Sequence, residues 1–255
     1  MSAPTMIAAT TPPPTPRIIV DDLAGAHNRA YQQDADTVIS GHSYKDRSTI
    51  ILVPAIASIP PRIVQSWMSL MLPMNQRSIR LFLEDMEVGD AYTQGIDFIL
   101  NHPELQNWKY VLTLETDNAP PPDGLLKLIE AMEEGPWAAV GGLYWTKGEG
   151  GQPMCYGRSD VHPLNFAPWL PPADTVVECR GLGMGFTLFR TEVFKDARLP
   201  KPLFKTVQNY VPNGGAQAYT QDLYGFEAMG KYGYRFACST KVLVGHWDQR
   251  EGKMW

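Results

Sequence analysis

Cysteine is scarce: three occur in 255 residues, and Cys155, Cys179 and Cys238 stand far apart with no CxxC pair among them. That excludes a zinc knuckle and a disulfide framework, which need paired cysteines at short spacing, and leaves three reduced thiols. Long apolar runs are missing as well. No stretch approaches the roughly 18 apolar residues of a membrane span, and the N-terminus lacks a basic region followed by an apolar core. The expectation is a soluble, cytoplasmic protein with no membrane partner. Positive charge is in deficit too, since 22 Lys and Arg face 27 Asp and Glu for a formal net charge of -5. The chain as a whole offers no attraction to nucleic acid, so a polyanion could be met only by a local basic groove. There are no internal repeats, and the sequence carries no signal of oligomeric state.

What is present suits one α/β domain with flanking segments. Residues 1–16 are Pro, Thr and Ala without charge or periodicity, a composition that cannot offset the entropy of ordering, and read as a tail or surface strap. Residues 17–48 hold a short apolar run at Ile18–Val20 and then a polar stretch to which no role is assigned. From residue 49 the text alternates. Thr49–Val53, closed by Pro54, reads as a buried strand, and Pro61 opens a helix with Ile63, Val64, Trp67, Leu70 and Met71 on one face. Ile79–Leu83 and Tyr110–Leu114 read as strands around a helix over Val88–Leu100 with Tyr92, Ile96 and Ile99 inward. A helix over Gly124–Met132 and a strand over Ala138–Leu143 follow. This alternation implies βαβ units and a Rossmann-like, mostly parallel sheet flanked by helices.

Later signals are weaker. Residues 144–174 are rich in Gly, Pro and aromatics and read as a binding loop, in which Tyr144, Trp145 and Trp169 could stack on a sugar or base or form the loop's own core. Val176–Cys179 and Phe186–Phe189 read as strands flanking Gly181–Gly185, with a short helix over Thr191–Phe194. Residues 200–218 form a second loop. A helix over Gln221–Lys231 precedes late strands at Arg235–Ala237 and Lys241–Val244, and residues 249–255 read as a C-terminal tail. The GLGMG run at 181–185 is an incomplete GxGxxG with no extended helix behind it, which argues against dinucleotide binding.

The chemistry points to Glu115-Thr116-Asp117. Acids just past a buried strand lie where open α/β sheets bind ligands. On an extended segment residues i and i+2 share a face, so both carboxylates can converge on Mg2+ or Mn2+, with substrate phosphates completing the shell. Such an ion would neutralise a diphosphate leaving group. A solvated turn with helix-capping acids gives the same local text.

An ordered series decides between them. Residues 110–128 (YVLTLETDNAPPPDGLLKL) resemble the segment around the DxD motif of GT-A glycosyltransferases. The likeness continues at Val140–Tyr144, Gly183–Phe186, Phe189-Arg190, Glu192–Phe194, Gln221-Asp222, Gly233–Arg235 and Gly245-His246. In order and spacing this is similar to the glycosyltransferase-like proteins of bacteriophages, related to the large inverting GT-A family, across residues 49–248. The resemblance implies the GT-A (nucleotide-diphospho-sugar transferase) fold and a single domain over those residues. It implies Asp117 as a metal ligand, Glu115 as a group at the metal or the donor ribose, and His246 as the late histidine that completes the shell. Glu115 departs from the commoner Asp. Asp222 falls where the family carries its general base, although Gln221 replaces the usual acid before it. Pro54-Ala55 and Asp85 match the loops around the nucleobase, and Gly183 and Gly185 the segment that lets donor and acceptor approach the backbone.

The resemblance thus implies a hexosyltransferase, inverting if Asp222 is the base, that uses a nucleoside-diphosphate sugar, with uridine as the implied nucleoside. A hydroxymethylated pyrimidine in phage DNA is one acceptor, placing the reaction in the host cytoplasm; a glycan or protein is the other. The segment Arg198–Tyr210 interleaves basic and aromatic residues as a base-stacking surface does, and as an ordinary solvated loop also can. A non-catalytic binding module on the same scaffold is the rival that Gln221 favours. A nucleotidyltransferase is more distant, because VPAIASIPPR lacks the glycines of a phosphate loop.

Overall fold

The structure, a computed structural model, describes residues 17–22, 45–55, 58–162, 165–211 and 215–255. The segment 1–16 and most of 17–48 lie outside them. In chain order the strands are β1 (Arg17–Asp22), β2 (Thr49–Ala55), β3 (Ser78–Glu84), β4 (Tyr110–Leu114), β5 (Asn118–Ala119), β6 (Ala139–Leu143) and β7 (Cys155–Arg158). They continue with β8 (Val176–Leu182), β9 (Phe186–Arg190), β10 (Val207–Val211), β11 (Gly215–Tyr219), β12 (Phe236–Leu243), β13 (Gly245–Asp248) and β14 (Lys253–Met254). The helices are α1 (Pro61–Ser69), α2 (Val88–Asn101), α3 (Gly124–Glu134) and α4 (Gln221–Lys231), with 3-10 turns at Leu105–Asn107 and Thr191–Lys195.

Nine strands form one sheet in the order β1-β3-β2-β4-β9-β6-β12-β8-β7. It is mixed. The pairs β2–β3, β2–β4 and β6–β12 are parallel, whereas β1–β3, β4–β9, β6–β9, β8–β12 and β7–β8 are antiparallel. The expectation of a mostly parallel sheet therefore holds only for β3-β2-β4 and β6-β12. The reason lies in the connections: parallel neighbours need a crossover, while β9 is entered directly from Gly183–Gly185 and lies antiparallel to both β4 and β6.

Strands buried on both sides should be apolar throughout, and β2 is buried at every residue. Its alternate side chains feed two cores. Ile51 and Val53 join Leu112 and Leu114 under α1 and α3, through Ile63, Trp67, Leu125 and Met132. Ile50 and Leu52 join Val111 under α2 and α4, through Tyr92, Ile96, Ile99, Phe226 and Met229. The result is a helix–sheet–helix sandwich, in which each fully buried large side chain contributes about 1.5–3 kcal/mol. Val64 and Met71, expected inward, are exposed: Val64 lies on the outer face of α1, whose buried residues are Ile63 and Trp67, and Met71 lies beyond its end at Ser69.

Two expectations at the chain's flanks change. The run at Ile18–Val20 is part of β1, which extends the sheet beyond β3. Residues 249–255, read as a tail, turn back through Gly252 at φ 63 and pair as β14 on β13, which in turn pairs with β5. A left-handed φ there suits glycine. Among the described residues no helix is long and apolar enough to cross a membrane.

Candidate active site

Strand β4 ends at Leu114 and the chain turns at once. The Asn118 N–H donates to the Glu115 carbonyl at 3.0 Å, and the Glu115 N–H to the Gly185 carbonyl at 3.2 Å. Helix α1 clamps the turn from outside: the Trp67 indole N–H donates to the Asn118 carbonyl (3.0 Å), and the Ser66 hydroxyl to the Pro120 carbonyl (2.7 Å). Because residues 115–118 form a turn, the rule that i and i+2 share a face does not apply, and the two acids have separate surroundings. Thr116 sits half-buried between them. The Tyr92 hydroxyl donates to Glu115 Oε1 at 2.9 Å. Asp117 instead faces Lys147 Nζ, 2.5 Å from its Oδ2, and His246 Nε2, 3.5 Å from the same oxygen.

The β5–β13 ladder brings His246 there. His246 pairs with Asn118, the Trp247 N–H donates to the Asp117 carbonyl (2.7 Å), and backbone bonds between His246 and Trp255 hold the outer side. The imidazole is oriented by its other nitrogen. Nδ1 lies 2.7 Å from the Trp145 carbonyl, which can only accept, so Nδ1 carries a proton. Nε2 then offers a lone pair to a cation when the ring is neutral, or an N–H to Asp117 when the ring is protonated.

Electrostatics separate the acids further. Burial and the neighbouring Asp117 charge push the Glu115 carboxyl up to about 7, despite the Tyr92 bond. Burial also pushes Asp117 up, but bonds from His246 and Lys147 outweigh it and hold that carboxyl below its ordinary value. Asp222, at the start of α4, is 5% exposed; burial raises its carboxyl against bonds from Thr220 and the Leu223 N–H. Its charge acts on Glu115, Tyr92, Tyr144 and Tyr156, so these groups lie near one another.

Gly183 and Gly185 stand against Tyr144 and Asn118. A Cβ on Gly183 would lie 2.1 Å from the Tyr144 hydroxyl, and one on Gly185 would lie 2.3 Å from Asn118 Oδ1. The Tyr144 hydroxyl accepts the Gly185 N–H at 2.8 Å. The space expected to admit substrate beside these glycines is thus filled by Tyr144 and Asn118. Asn118 is fully buried, and neither side-chain polar atom has a partner among the described residues.

The nucleobase candidates sit apart. Pro54 and Ala55 are buried in the last turn of pairing between β2 and β3, and the Asp85 N–H donates to the Ala55 carbonyl at 3.2 Å. Asp85 is half-buried and adopts φ 60, a left-handed conformation that Asp tolerates better than most residues. Tyr92, Asn118, Tyr144 and Lys147 were not singled out as site residues from sequence; only Tyr144 carried a signal, as a loop aromatic beside a strand end.

Among the described residues no group of three His, Cys, Asp or Glu side chains is arranged to hold a metal ion. The Tyr92 bond and the turn give Glu115 surroundings of its own. Asp117 with His246 still suits Mg2+ or Mn2+, ions that take few protein ligands, and the carbonyl-anchored imidazole is the usual support of a metal-binding histidine.

This fold has a solved counterpart. The chain is similar to A197 from STIV, known from a crystal structure, at 17% identity over 81% of this chain and 92% of that one, with a TM-score of 0.56. At that identity the likeness concerns the fold alone. No protein-family model matches the chain, and no curated protein does.

Proposed function

We propose that the chain is a metal-dependent glycosyltransferase of the GT-A fold, transferring a sugar from a nucleoside-diphosphate donor, with uridine as the nucleoside, to an acceptor hydroxyl. The observation that carries this reading is the pair Asp117 Oδ2 and His246 Nε2, 3.5 Å apart at the end of β4, with the imidazole's other nitrogen already committed to Trp145. A divalent ion bound there would neutralise the diphosphate as it leaves. The chain's own residues supply the rest. Asp117 and His246 hold the donor end, and Glu115, which accepts the Tyr92 hydroxyl, meets the donor ribose in this reading. The buried Asp222 carboxylate, steadied by Thr220 and the Leu223 N–H, takes the proton of the acceptor hydroxyl as that oxygen attacks the anomeric carbon. Attack opposite the diphosphate inverts that carbon.

The acceptor has two readings. A hydroxymethylated pyrimidine in DNA would use the basic segment Arg198–Tyr210. Its cations are partly engaged already, Arg198 by Asp196 at 2.6 Å and Lys205 by the Tyr224 ring at 4.7 Å, which favours a glycan or protein acceptor as the second reading. The test incubates the protein with Mn2+ and a panel of nucleotide sugars, measuring nucleoside diphosphate release with and without hydroxymethylated DNA. Release stimulated by that DNA supports the first acceptor. Donor binding with no release from any sugar, whatever the acceptor, would leave a binding module and end the enzyme reading.

A further inference from the structure

Lys147 has no part in the expected site, yet its ammonium makes the shortest contact Asp117 has, at the oxygen that faces His246. It reaches that point from a tight loop between β6 and β7. Trp145 pairs with Pro153, the Thr146 N–H donates to the Gln152 carbonyl (2.9 Å), and Gly148 and Gly150 adopt φ 98 and 77. The loop base also contributes the Trp145 carbonyl that orients His246. One short loop therefore holds both the imidazole and the cation beside Asp117. The side chains of Lys147 and Asp117 are 32% and 33% exposed, so this pair is solvated enough to exchange partners.

We infer that Lys147 is a built-in counter-ion of the donor site, one that must surrender Asp117 to a divalent cation and then adds its positive charge to the donor diphosphate. The inference rests on the metal-site reading above. The physical reason is charge. A divalent cation within about 2.0–2.2 Å of both Asp117 Oδ2 and His246 Nε2 could not share that oxygen with an ammonium without strong like-charge repulsion. Lys147 has a flexible four-carbon stem and is a compact point charge, suited to leaving one anion for another. In the absence of cation it neutralises Asp117.

The test uses the full chain and its Lys147→Met variant, with Mn2+ alone followed by electron paramagnetic resonance, and UDP at saturating Mn2+ followed by calorimetry. Mn2+ alone should bind the variant about tenfold more tightly than the parent, while UDP should bind it about tenfold more weakly. A gain in metal affinity is not something a damaged site produces, so misfolding cannot imitate it. Lys147→Arg should keep UDP binding near the parent's. Equal or weaker Mn2+ binding in Lys147→Met overturns the inference, as does absence of Mn2+ binding from both proteins. UDP binding without any metal, lost in Lys147→Met, also overturns it, by making Lys147 the sole cation of the diphosphate. Tighter Mn2+ in the variant with no UDP bound by either protein keeps the counter-ion of Asp117 and removes the uridine-diphosphate donor reading instead.

Discussion

The two halves of the proposed site are built on opposite physical plans. The proposed donor half, Asp117 with His246 and Lys147, is held by backbone: a turn clamped by α1 and a β5–β13 ladder closed by Trp255, with partly exposed charges that neutralise one another. The proposed acceptor half rests on Asp222, a single carboxylate almost sealed from water at a helix start, whose own neighbours only partly offset its burial. Paired, solvated charges hold a site in a defined state before the ligand arrives. A buried, isolated acid is poised to change protonation, which is what a proton-transfer group needs.

That contrast is broken most directly by exchanging charge for an isosteric amide on each side. Asp222→Asn should lower turnover by about 10²–10⁴-fold and leave UDP affinity within a factor of about two, because removing a base affects the reacting step alone. Turnover near the parent's in that variant would remove Asp222 from the reaction. Asp117→Asn should do the reverse, weakening Mn2+-dependent UDP binding by about 100-fold, since it removes a metal ligand and the partner of both His246 and Lys147. If Asp117→Asn instead spared binding and abolished turnover, the division between the halves would be wrong.

How much of this the sequence shows follows the same division. Strand β4 is legible because Tyr110–Leu114 is a continuous apolar run, and Asp117 follows from its position behind that run. His246 follows from the late Gly-His, although the ladder that places it does not, because β5 and β14 are two residues each and exist only through pairing. Strand β2 was expected to stop at Val53. It continues through Pro54 because pairing with β4 ends at Leu52, so the missing proline N–H is not needed on that side. Strand β12 was expected as two pieces either side of Cys238–Thr240, yet runs through all three, and Thr240 Oγ1 finds the Pro172 and Thr175 carbonyls and can be buried. The loop over 200–218 hid the β10–β11 hairpin for want of an apolar pattern. Tyr92 and Lys147 reach the acids from 23 and 30 residues away, which no local spacing encodes.

Smaller changes probe how rigidly the wall between the halves is built. Gly185→Ala places a methyl group where the Asn118 amide sits, and overpacking of that kind costs about 1–3 kcal/mol. Urea denaturation should show that loss, and UDP binding should weaken with it because the Asn118 turn carries Asp117. A variant as stable as the parent would mean that the wall yields more easily than the contacts imply.

The smallest effect concerns Glu115, which stands between the two halves and shares their chemistry: burial and the Asp117 charge raise its carboxyl from an ordinary 4.5 to about 7. A carboxyl raised on folding binds its proton more tightly in the native than in the unfolded chain. Stability attributable to Glu115 is therefore fully present below pH 4.5, falls as pH rises toward 7, and is level above that. Glu115→Gln, which cannot ionise but retains an oxygen to accept the Tyr92 hydroxyl, should remove this fall. In metal-free buffer the variant should gain on the order of 1–2 kcal/mol over the parent at pH 8 relative to pH 5, the shift being discounted for partial exposure. Urea titrations at the two pH values measure the difference. Parallel pH profiles for parent and variant would mean that Glu115 is ionised throughout, and that the donor half extends its solvated, charge-paired plan to both acids.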